Sequence, residues 1–163
     1  MHYPDVTNAE INQAKFPHNL FVTGLFLFDL MMTPAVIVLK IGMVGLVIPL
    51  VCSVLLITYI YLRGQKNTSW FVQMHWKLAY TRGLWLLTGY AISAMLILIA
   101  WLISRITQDP SMQHILWTAL TRIALMPTLI LVMVTAVLEA SAIGQVTKRE
   151  IPDKLAASFP PPV

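Results

Sequence analysis

Apolar residues along the chain gather into four blocks, near 19–39, 43–62, 83–104 and 114–142, with short polar stretches between them. A helix needs about 20 mostly apolar residues to cross a hydrocarbon core ~30 Å thick, so each block has the length of one span. The first two blocks almost touch. KIGMVG (40–45) places Lys40, Gly42 and Gly45 at their junction. A charge and two glycines midway through a run about twice the length of a span predict a tight hairpin rather than one long tilted helix.

Polar punctuation sets the boundaries. Thr7-Asn8-Ala9-Glu10 has the S/T-x-x-E form of a capping box, which predicts a short helix from residue 8 within the polar segment 1–18. Pro17 then suits the first turn of span one. Asp109-Pro110 pairs an N-cap residue with a proline at N1 and predicts the start of the fourth helix. In the connection NTSWFVQMHWKLAYTRG (67–83), Trp70, Phe71, Met74 and Leu78 share one helical face, opposite Gln73 and Lys77. That pattern predicts an amphipathic extension lying at the membrane interface before the third helix, with Trp70, Trp76 and Tyr80 in an aromatic belt and Lys77 and Arg82 towards anionic headgroups. The tail 145–163 ends in SFPPPV, which predicts an extended arm.

Composition places these blocks in a bilayer. Hydrophobic residues are 58% of 163 positions and charged residues 11%, with mean hydropathy +0.74, far from the balance of a soluble domain. The expected fold is a single all-α transmembrane domain over 1–163, four helices in a kinked antiparallel bundle. The net charge of +4 matters through its placement. With both termini on one side, that side receives Lys15, Arg63, Lys66, Lys77, Arg82, Lys148, Arg149 and Lys154, eight of eleven basic residues, against Lys40 and Arg105 on the other. This asymmetry predicts cytoplasmic N- and C-termini. The first 19 residues carry Asp5, Asn8, Glu10, Asn12 and Gln13 and lack the form of a cleavable signal, so span one is expected to act as its own insertion signal, with a bacterial inner membrane as the expected location. The partners expected are the lipid bilayer and other membrane subunits, not nucleic acid. Cys52, the sole cysteine, excludes an intrachain disulfide and a thiolate-built metal site.

Asp29 and Arg122 are the ionisable residues expected deep in the spans. Asp29 lies ten residues into span one, ~15 Å at 1.5 Å per residue, and Arg122 eight residues into span four from the other side, ~18 Å from the same boundary. Their similar depths predict an ion pair or a shared polar cluster, since a charge facing lipid costs about 3 kcal/mol or more. Each precedes a proline by five residues, Pro34 and Pro127, and these with Pro49 are the expected kinks. Carbonyls freed at Leu30 and Ile123 are open to Thr33, Thr121 or Arg122 as donors. Glu139, one turn from the end of span four, is expected to form an interfacial pair with Lys15, Lys77 or Arg82. Ala136, Ala140 and Gly144, and separately Gly89 and Ser93, have the small-xxx-small spacing of close helix contacts.

Other chemistry finds little support. His2, His18, His75 and His114 fall at boundaries or in loops, where hydration is the ordinary fate and a haem ligand between spans is not expected. The nine methionines lack accompanying cysteine or histidine within a span. Nucleophile, Walker and metalloprotease motifs are absent, so neither enzyme activity nor a metal or other cofactor is expected. The expectation is a non-catalytic accessory or assembly subunit of a larger membrane complex. Its alternatives are a small transporter or channel component using Asp29 and Arg122 in a proton or ion pathway, and a redox-complex anchor contributing quinone or haem contacts.

Overall fold

The computed structural model describes residues 1–39, 43–66 and 69–161. Lys40, Ile41 and Gly42 of the expected hairpin, Asn67 and Thr68 of the connection, and the last two tail residues lie outside them. Among the described residues all regular elements are helical. They run as α1 (Asn8–Gly24), a π-helical segment (Leu25–Met32), α2 (Thr33–Val38), a 3-10 turn (Met43–Leu46), α3 (Val47–Gly64), α4 (Trp70–Ile106), α5 (Pro110–Ala124), α6 (Met126–Thr147) and α7 (Asp153–Ser158). Four stretches are long and apolar enough to cross a membrane: Asn8–Val36, Val44–Gly64, Trp70–Ile106 and Pro110–Thr147. This is the make-up of a multi-pass membrane protein.

Local signals act where they stand. Thr7 caps α1: its hydroxyl accepts from the Glu10 amide, and the Glu10 carboxylate accepts from the Thr7 amide at 2.9 Å, the reciprocal box. The Asp109 carboxylate accepts from the Ser111 amide at 2.9 Å with Pro110 at the first helical position, opening α5. One expected break is absent, since residues 8–24 form one helix through Pro17. The amphipathic segment runs without interruption into span three as α4. Packing explains both continuities, because Ala14, Pro17, His18 and Phe21 share one buried face of α1, and Phe71, Val72, His75 and Ala79 are buried along α4. Ser158, expected in the extended tail, closes the short helix α7.

The chain divides into two compact units, residues 1–84 with 135–163, and residues 85–134. In the first, Gly83 brings α4 against α3: a Cβ there would stand 2.9 Å from Ile57 Cγ1 and 3.1 Å from Ile57 Cγ2. The two ends of the chain meet. The Ile151 amide donates to the Met1 carbonyl at 3.0 Å and the Tyr3 amide to the Arg149 carbonyl at 2.9 Å, flanking a bridge between His2 and Glu150. Helix α6 ends in a Schellman turn, with Glu150 N–H on Gln145 O and Arg149 N–H on Val146 O. Arg149 takes the left-handed position usually given to glycine (φ 58°), and its guanidinium donates to the Pro4 carbonyl at 2.8 Å. In the second unit, Gly89 of α4 lies beneath α6, where a Cβ would be 2.9 Å from Leu131 Cδ1, and one turn on Ser93 Oγ accepts from the Thr128 hydroxyl at 2.8 Å.

A candidate functional site: a buried carboxylate and imidazole chain

Four polar side chains of the first unit assemble in its interior from three helices: His18 of α1, His75 and Arg82 of α4, and Glu139 of α6. Their residual exposures are 0%, 1%, 8% and 0%. Periodicity delivers each one. Phe21 and Leu25 follow His18 on one face of the first helical stretch, and Thr135, Glu139, Ala142 and Val146 are buried at three- and four-residue intervals on α6.

Glu139 is the centre. Its Oε2 lies 2.6 Å from His18 Nδ1, and its Oε1 accepts from Arg82 Nη1 at 3.2 Å. The same Arg82 nitrogen donates to the Leu138 carbonyl at 2.6 Å. Both carboxylate oxygens thus face donors, the satisfaction that a buried charge requires. His18 is used at both ends, since its Nε2 lies 3.0 Å from His75 Nδ1. The two imidazoles stand edge to face with centroids 5.2 Å apart, and the Phe71 ring closes on His75 at 4.8 Å. His75 Nε2 is buried without a hydrogen-bond partner.

This arrangement changes the reading of several residues. Glu139 is fully interior, with Arg82 as one partner and His18 as the second; of the other cations named for it, Lys77 sits 3.5 Å over the Phe159 ring. His18 and His75 are core residues, not hydrated boundary groups. Trp76, expected in the aromatic belt, is 3% exposed and packs between Phe16 and Tyr59. The Tyr80 ring packs at a tilt against Tyr61 with centroids 4.9 Å apart, and the Trp70 indole donates to the Phe159 carbonyl at 3.2 Å. The face expected at headgroups is therefore largely engaged by protein.

Asp29 and Arg122 belong to different units, Asp29 to the first and Arg122 to the second. Asp29 lies in the π-helical segment, where the wider i→i+5 turn re-aims side chains and commonly accompanies functional positions. It is 6% exposed, and its two oxygens lie 3.4 and 3.5 Å from the Ser53 hydroxyl of α3. Pro34 follows this segment in α2. The Thr33 hydroxyl bonds the Phe28 carbonyl at 3.1 Å, not that of Leu30, and the Thr121 hydroxyl bonds Trp117, not Ile123. Arg122 is exposed on α5, Pro49 is buried in α3, and Pro127 lies in the first turn of α6 after the α-helical pattern lapses at Leu125.

The chain Glu139–His18–His75 holds its donors in line rather than converging on a point. His18 commits both ring nitrogens to neighbours, which suits proton transfer and orientation better than metal ligation. Two helical-face signals in the sequence pointed this way: His18 stands in register with Phe21 and Leu25, and His75 with Phe71 and Ala79. Compared with protein families, curated proteins and solved structures, the chain matches none, so its functional reading rests on this geometry.

Proposed function

We propose that this chain is a non-catalytic accessory or assembly subunit of a larger membrane complex, its four spans set in a bacterial inner membrane with both termini cytoplasmic. The observation that supports this reading is the division of labour on α6. Its one face is consumed inside the first unit by Thr135, Glu139, Ala142 and Val146. On the other face Ala140 and Gly144 are exposed, and a Cβ added at Gly144 would meet nothing within 4 Å. Lipid supplies no hydrophobic force between helices, so small residues four apart favour association by close backbone approach. A helix from another subunit fits that face. The eight-to-two basic asymmetry supports the orientation.

A photo-crosslinking amino acid at Ala140 or Gly144, activated in native membranes, is expected to give the same discrete adduct with a different membrane protein. The buried position Ala142 is expected to give none. Adducts only to lipid, or only to a second copy of this chain, would count against the subunit reading.

A further inference from the structure

From the donor and acceptor geometry we infer that Glu139, His18 and His75 form a proton-exchange chain, which takes up a proton at His75 Nε2 and carries the added charge on His18, against Glu139. The 3.0 Å gap between His18 Nε2 and His75 Nδ1 holds one proton, because two bare nitrogens or two N–H groups would repel there. With Glu139 ionised and His75 neutral, two arrangements satisfy this condition and keep a hydrogen between His18 Nδ1 and Glu139 Oε2. In the first, His18 Nδ1–H donates to the Glu139 carboxylate, His18 Nε2 is bare, and His75 supplies the shared proton from Nδ1; His75 Nε2 is then a bare acceptor. In the second, His18 carries protons on both nitrogens, His75 Nδ1 accepts, and His75 Nε2 carries a hydrogen.

In the first arrangement His75 Nε2 alone of the four ring nitrogens is without a partner, buried and not hydrogen-bonded, so an added proton ends there. The two arrangements differ by one proton, and two hops connect them. A proton binds His75 Nε2, the Nδ1 proton of His75 passes to His18 Nε2, and His18 becomes an imidazolium against Glu139. No bond other than N–H forms or breaks, and the charge rises by one. His75 changes the nitrogen that bears its proton without changing its own charge.

The groups facing this chain are accounted for. Glu139 Oε2 receives the Nδ1 hydrogen of His18 across 2.6 Å in both arrangements, while Arg82 donates to Oε1 at 3.2 Å. The carboxylate is bonded to His18, so the added charge is held there.

Nitrogen-15 NMR of histidine-labelled protein in nanodiscs tests this directly, with H2N and H114Q substitutions assigning the other two rings. On acidification His75 Nε2 should move from the unprotonated to the protonated range and Nδ1 in the opposite sense, at the same midpoint at which His18 becomes doubly protonated. In the H18Q protein the exchange at His75 should vanish, because a glutamine side chain can bridge the same groups without relaying a proton. Separate midpoints for the two rings, a His75 that keeps one tautomer throughout, or an exchange that survives H18Q would each overturn the inference. If H18Q fails to fold, the wild-type midpoints decide alone.

Discussion

Replacing Glu139 by leucine, close to it in volume, removes the acceptor shared by α1 and α4 while leaving both donors in place. Arg82 is 8% exposed and would become a buried cation with one remaining partner, the Leu138 carbonyl at 2.6 Å. His18 Nδ1 would lose its only partner. Breaking one side of a buried ion pair costs about 3–5 kcal/mol, and the surviving carbonyl contact argues for the lower part, about 3–4 kcal/mol. Removing the cation as well should recover much of this. In Arg82→Met with Glu139→Leu only the His18 nitrogen is orphaned, a penalty of about 1–3 kcal/mol. The double variant should therefore be more stable than Glu139→Leu alone, with a coupling energy of about 2 kcal/mol. Reversible unfolding in mixed micelles, followed by far-ultraviolet circular dichroism, measures all four corners of the cycle. A loss below about 1 kcal/mol for Glu139→Leu, or single effects that add within about 0.5 kcal/mol, would refute the picture of Glu139 as the buried acceptor of Arg82.

Other substitutions probe the packing around this chain. Trp76→Ala should destabilise by about 3–5 kcal/mol in the same assay, as for a buried aromatic, whereas Trp85→Ala, at a residue 52% exposed, should change stability far less; equal effects would restore the belt reading of Trp76. Gly83→Leu forces a side chain into the Ile57 contact and should cost about 1–3 kcal/mol or more by overpacking. Gly144→Leu meets open space and should leave the isolated protein's unfolding unchanged while it abolishes the photo-crosslink from Ala140. Thr7→Ala removes the first cap of α1 and should cost about 1 kcal/mol, seen as faster amide exchange over residues 8–11.

The spans were legible because about 20 apolar residues in a row have few other fates, and the caps at Thr7 and Asp109 because their chemistry is complete within four residues. Glu139 was legible as a paired acid but not as an interior one. Its depth depends on residues brought from α1 and α4, at sequence separations of 121 and 57. His18 and His75 were misread for a related reason. Position relative to a span boundary was weighed before helical face, and a face shared with Phe21, Leu25, Phe71 and Ala79 says interior wherever the boundary falls. Pro17 shows the converse: a proline that reads as a helix start was carried inside α1 once its ring joined a buried face. The π-helical segment around Asp29 had no sequence signal beyond the nearby Pro34, because widening a turn depends on what surrounds it.

The central claim, that the open face of α6 belongs to a partner, is tested most directly by purifying the protein from its native membrane in mild detergent. The mass of the intact particle and the identity of every chain in it would be determined by mass spectrometry. A particle of fixed stoichiometry containing at least one other membrane protein, and dissociated by Gly144→Leu, is the predicted result. A monomer, or an oligomer of this chain alone, would contradict the account.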